Sequence, residues 1–123
     1  MATYVVINDK QYPAIITGRL NDKEWNNRES KAIEVEMSYK EVVDLFVDDM
    51  IWSIAQDIEI EQEVEDESGN LITTIVTEQE MYDNSEYSIA GDIIDHRNGK
   101  VTVKMGKPTS DELLIMFEEA LGL

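Results

Sequence analysis

The longest regular pattern in the chain is an alternation. From Ile51 to Glu65, Trp52, Ile54, Ile58, Ile60 and Val64 fall at even positions, while Asp57, Glu59, Glu61, Glu63 and Glu65 fall at odd ones. Successive strand side chains point to opposite faces, so this spacing predicts a half-buried strand with one apolar and one acidic face. Its length predicts a bulge or a bend. Asp66-Glu67-Ser68-Gly69-Asn70 supplies turn residues, and Leu71 to Thr77 resumes the strand pattern, so the two runs make a hairpin. Pairing Val64 with Ile72 and Ile60 with Val76 keeps the apolar positions on one face.

The same reasoning places further elements on either side. Thr3 to Ile7 and Gln11 to Thr17 flank turn-like Asn8-Asp9-Lys10, and Pro13, which has no N–H, predicts an edge or a bulge. Gly18 to Ser30 is polar and unpatterned and reads as a long loop, pinned to the body by Trp25. From Ala32 a strand begins in which Ile33, Val35 and Met37 alternate with Glu34 and Glu36. Ser38-Tyr39-Lys40-Glu41 is a capping box, opening a short helix through Val43, Leu45 and Phe46 that stops at Asp48-Asp49.

Toward the C-terminus, Tyr87 to Arg97 and Lys100 to Met105 flank Asn98-Gly99, the pair favoured by a type I′ turn. Such a turn sets His96 opposite Val101, Ile94 opposite Val103 and Asp92 opposite Met105. Gly91 and Gly106 then face each other, at a bulge or at a contact surface for a partner. After Pro108, Thr109-Ser110-Asp111-Glu112 is a second capping box, opening an amphipathic helix with an apolar stripe of Leu113, Leu114, Phe117, Ala120 and Leu121. Met37, Met105 and Met116 fall on core-like positions. Hairpins without a βαβ rhythm, and helices set apart from one another, predict an α+β fold. Its sheet is mainly antiparallel, of about 6–7 strands, with a short central helix and a C-terminal amphipathic one.

Composition adds bounds. A chain of 123 residues with 42% hydrophobic content is expected to form a single domain over 1–123. No apolar run is long enough to span a bilayer, and Met1 to Asn8 does not resemble a signal peptide, so a soluble protein made in the cytosol is expected. The absence of cysteine excludes disulfides and thiol chemistry.

Charge is the sharper clue. Lys and Arg disappear after Lys40 and return at Arg97, and the segment from Glu41 to His96 holds 17 of the 27 acids, enough to account for the whole net charge of −17. So acidic a chain repels phosphate backbones and anionic lipid, so no direct nucleic-acid or membrane binding is expected. Same-face neighbours on a strand lie about 6.6–6.8 Å apart, too far for adjacent acids of the row to chelate one ion. No metal site or cofactor is expected. The row could instead imitate nucleic acid, at about half the charge density of a DNA strand with one phosphate per ~3.4 Å, or it could simply solvate the protein. Arg97, Lys100, Lys104 and Lys107 form a basic hairpin that could answer the acidic face within the molecule or across an oligomer. The candidate interaction surface is therefore Asp57, Glu59, Glu61, Glu63, Glu65, Arg97, Lys100 and Lys104. His96 is the only histidine and no nucleophile motif accompanies it, so a turn histidine with a structural hydrogen bond is expected and catalysis is not.

The segment from Tyr87 to Thr109, with its Gly91-Asp92-Ile93-Ile94-Asp95-His96-Arg97-Asn98-Gly99-Lys100 centre, resembles small prophage-encoded proteins of gut Firmicutes, and Leu45 to Ile54 is similar to theirs as well. Genes of that group tend to lie near those for tail and baseplate components. The resemblance implies a phage context and no mechanism. Joined to the compact α+β design and the missing catalytic motifs, it leads to the expectation of a non-enzymatic tail or baseplate assembly protein that binds another phage protein or a second copy of itself through an exposed sheet edge or the acidic face, in the bacterial cytoplasm or in the virion. The alternative is an acidic decoy for a host nucleic-acid-binding protein.

Overall fold

A computed structural model describes residues 2–122. Seven strands are present: β1 (Thr3–Ile7), β2 (Lys10–Asp22), β3 (Arg28–Val35), β4 (Trp52–Glu65), β5 (Leu71–Asp83), β6 (Ile89–Asp95) and β7 (Val101–Gly106). Their order is β5-β4-β1-β2-β3-β7-β6, and every neighbouring pair is antiparallel. A single 3-10 turn (Lys23–Trp25) joins β2 to β3, α1 (Tyr39–Leu45) lies between β3 and β4, and α2 (Ser110–Ala120) follows β7. The expected α+β class, with its mainly antiparallel sheet and two helices, is what forms.

β2 serves both halves of the sheet. Residues 10–13 pair with β1 and residues 14–22 with β3, the first β2–β3 pair being Ala14 with Val35. Pro13 thus sits where only β1 flanks it, a local edge inside an interior strand, and its missing donor is tolerated there. One face of the sheet carries Val5, Ile7, Ile33, Val35, Trp52, Val101, Val103 and Met105, all buried. Val42 of α1 and Phe46 at its C-cap cover them, with Met37, Met50 and Tyr87. Ser38 caps α1 by accepting from the Glu41 N–H at 3.2 Å. Trp52 fills the centre: its indole N–H donates to the Tyr87 carbonyl at 3.1 Å, and the two rings meet edge to face with centroids 6.4 Å apart.

The β4–β5 pairing matches the sequence expectation, with Val64 opposite Ile72 and Ile60 opposite Val76. β4 nevertheless runs without the expected bulge, in unbroken register from Ser53–Asp83 to Glu65–Leu71. Only residues 52–56 of β4 pair with β1, so the rest of the hairpin leaves the sheet as a free two-stranded ribbon. Such a ribbon can coil as it twists, with no third strand to force a break.

Other expectations are corrected. Gly18 to Ser30 is not a long loop: β2 continues to Asp22 and β3 starts at Arg28, with an irregularity between Arg19 and Asp22. Arg19, Leu20 and Asn21 are all exposed, so no apolar alternation marked this pairing. The β6–β7 register is also one residue off the expected one, with Asp95 opposite Val101 and Ile93 opposite Val103. The cause is local hydrogen bonding. The Asp95 carboxylate accepts from the Arg97 N–H at 2.9 Å and the Asn98 side chain from the Lys100 N–H at 3.0 Å. These Asx turns displace a two-residue turn, with Arg97 and Gly99 at positive φ.

A bulge between Ala90 and Ile93 follows, and Gly106 faces Ile89 rather than Gly91. What approaches both glycines is Trp25. A Cβ on Gly91 would lie 2.6 Å from its ring and one on Gly106 2.7 Å from it. The Arg28 guanidinium stacks over the same ring, 4.6 Å from its centre. Trp25 therefore does pin its segment to the body, through a seat made by two missing side chains.

Candidate interaction surface

The acidic row is real and it is unanswered. Asp57, Glu59, Glu61, Glu63 and Glu65 stand in one file on β4, opposite Gln79, Thr77, Ile75, Thr73 and Leu71 of β5. Asp57, at the base of the ribbon, accepts from the Tyr4 hydroxyl and from Gln79, both at 3.3 Å, and its charge pushes the Tyr4 pKa up. Glu59, Glu61, Glu63 and Glu65 make no ion pair among the described residues.

The structure does not bring the basic hairpin to this row. β1, β2 and β3 stand between β4 and β7, and the lysines in and just after β7 serve other acids. Lys104 pairs with buried Asp22 at 3.0 Å, and Lys107 with Glu29 at 3.0 Å and Glu86 at 3.5 Å. Asp22 is held below the usual carboxylate range by Lys104 first and by the Ser30 hydroxyl next, against the opposing effect of burial. Arg97 and Lys100 occupy the β6–β7 turn, where neither makes an ion pair among the described residues. His96, in the same turn, is exposed and hydrogen-bonds the Thr102 hydroxyl at 2.8 Å.

A second ionic cluster surrounds Tyr87. Its hydroxyl donates to Glu29, while Lys31 and Lys107 lie over its ring at 4.6 and 5.0 Å. Burial, then Glu29, pushes the Tyr87 hydroxyl up, whereas the bonds from Tyr87 and Lys107 pull Glu29 down. Lys31, lowered by desolvation, donates to Asn84. Each partner here is satisfied by another, and the cluster ties β3 to the segments before β6 and after β7.

The feature that the sequence pattern misplaced is α2. Its start is fixed: Thr109 and Glu112 form the expected capping box. Arg28, whose side chain is only 3% exposed, donates to Glu112 at 2.7 and 3.3 Å and to the Lys107 carbonyl at 3.1 Å. Arg28 and the Thr109 amide hold the Glu112 pKa down to about 2. Beyond this anchor the helix stands clear of the sheet. Leu113, Leu114, Ile115, Met116 and Phe117 are each 52–61% exposed, and Leu121 follows at 58%. The expected stripe is thus a band, and Met116 is not a core residue. Five consecutive residues at 3.6 per turn go once around the helix. Ile115 and Met116, off the stripe, were the signal: a helix apolar all round belongs inside something.

Beside α2 lies a groove of about 330 Å³ lined by Asp48, Asp49, Ile89, Pro108, Ile115 and Met116. Asp48 also reaches across to accept from the Ala90 N–H at 2.8 Å, which caps part of the β6 edge. No cluster of three or more metal-ligating side chains occurs among the described residues, and no helix among them is long and apolar enough to cross a membrane. No known protein family, curated protein or solved structure matches the chain.

Proposed function

We propose that this chain is a non-enzymatic assembly protein whose C-terminal helix is the docking element for another protein of the same assembly. The exposed apolar band of α2, held in place by Arg28 and Glu112, is the observation that carries this. Isolated apolar side chains on a surface mean little, but a contiguous patch of several hundred Å² on a helix marks an interaction site. Helices presented in this way engage apolar grooves through anchors three and four residues apart. The tail or baseplate setting rests on the resemblance of Tyr87 to Thr109 and Leu45 to Ile54 to prophage-encoded proteins.

The acidic decoy has less support. A single file of carboxylates beside Thr and apolar residues presents about half the charge density of one DNA strand. The test is co-expression with the neighbouring tail proteins followed by size exclusion with light scattering. A defined complex that disappears in Phe117→Ser supports the proposal. An inert monomer with every neighbour, for wild type and variant alike, sinks it.

A further inference from the structure

We infer that the groove between α2 and the start of β6 takes a basic amphipathic segment of the partner protein. This deepens the assembly role proposed above and rests on it. The groove offers an apolar floor and wall through Ile89, Pro108, Ile115 and Met116, and the exposed Phe117 extends the apolar band of the same helix. The charged side chains that line the groove are all acids, and the cations nearest to it, Arg28 and Lys107, are already paired with Glu112, Glu29 and Glu86. Asp48 and Asp49 rim the groove. Asp111, Glu118 and Glu119 flank the band, α2 carries no Lys or Arg, and Glu112 is already taken by Arg28.

The placement of Glu118 and Glu119 is informative. The C-terminal end of a helix carries partial negative charge, so acids there are locally unfavourable and cations are favourable. The last turn of α2 has two acids and no base. Partner cations set against that turn would relieve both the repulsion and the dipole. A second copy of the chain is a poor occupant by the same reasoning. Antiparallel packing of two α2 helices places Asp111 of one beside Glu118 and Glu119 of the other, and like charges opposed at an interface disfavour it. Each copy also brings a net charge of −17. The occupant that fits is a helix or extended segment with Leu-like anchors for the groove and Lys or Arg at its borders.

The test is calorimetric titration of the full chain with a synthetic helical peptide of Leu and Lys, and with the same peptide carrying Glu for every Lys. The basic peptide is expected to bind and the acidic one not to. Ile115→Ser and Phe117→Ser, both at exposed positions, should each weaken binding by about tenfold or more, as removal of a central anchor does. The triple variant E59Q/E61Q/E63Q, which removes charge from the ribbon instead, should leave binding within about twofold, an effect the size of a distant rim charge. Equal binding to wild type and Ile115→Ser would show charge attraction alone and overturn the inference, as would loss of binding in the ribbon variant. Sedimentation of the free chain separates the two levels. A dimer broken by Phe117→Ser removes the basic partner but keeps assembly through α2. Monomers throughout, with no peptide bound, remove the basic partner, and the assembly role is then decided by the co-expression test alone.

Discussion

The Trp25 seat can be tested with a double-mutant cycle. Gly91 has no positive φ, so alanine is acceptable to its backbone, and the three atoms nearest to its new Cβ belong to Trp25, at 2.6, 2.8 and 3.0 Å. Carbon atoms pack best at about 3.5–4.0 Å, so the closest contact is short by roughly 1 Å. The ring has little room to retreat, because Gly106 lies against it as well and Arg28 is stacked over it. Overpacking of this kind costs about 1–3 kcal/mol. Trp25→Ala removes a half-buried indole and should cost about 2 kcal/mol, roughly half the value for a fully buried one. With the ring gone the Gly91→Ala clash vanishes, and the substitution becomes neutral or stabilising by about 0.4–1 kcal/mol through the unfolded chain. Urea denaturation of the four proteins, followed by far-UV circular dichroism, yields the coupling energy. A value of about 1–3 kcal/mol is expected; independent sites add to within ~0.5 kcal/mol. Simple additivity would mean that the glycine is present for some reason other than Trp25.

Three further outcomes follow from the anchor and the ribbon. Arg28→Met removes every hydrogen bond from Arg28 to Glu112 and to the Lys107 carbonyl. An 11-residue helix is marginal alone, so hydrogen exchange of α2 amides should speed up by about tenfold or more, and unchanged protection would refute the anchor. The same anchor sets a pH response. The Glu112 pKa lies at about 2 in the fold against an ordinary 4.5. A depressed carboxylate contributes stability in full above its unfolded pKa and loses it as pH falls through the folded value. Amide resonances of α2 should hold from pH 7 to 5 and change between about 4.5 and 2, and a change already complete by pH 5 would contradict this. Finally, E59Q/E61Q/E63Q relieves like charges along one face and should raise stability by up to ~1 kcal/mol at low salt. The gain should shrink in 1 M NaCl, where the Debye length is about 3 Å; urea midpoints at the two salt concentrations decide it.

The elements that could be read from the chain are those whose cause is local. Ser38 and Thr109 announce helix starts through side-chain hydrogen bonds a few residues long. The alternation from Trp52 to Val64 sets the ribbon register because a slip of one residue would turn every isoleucine to the acidic face. The β6–β7 turn misled for an equally local reason. Asn98-Gly99 favours one turn, and the carboxylate of Asp95 with the amide of Asn98 builds another. For the candidate surface, the acidic row on β4 was readable, whereas its want of a cation was not: Lys104 could have faced it until the strand order placed that lysine beside Asp22.

The sequence by itself determined the α+β class, the β1–β2 and β4–β5 hairpins, both helix caps and the confinement of net charge to residues 41–96. Each of these depends on side-chain period or on bonds between near neighbours, which need no knowledge of what packs where. Only the tertiary structure decided that Gly91 and Gly106 make room for Trp25, that Arg28 reaches Glu112, and that the apolar residues of α2 have no cover. Residues 66 to 84 positions apart meet in the first two. The third turns on whether another element lies over the helix, and the hydrophobic pattern that demands such cover does not say which chain supplies it.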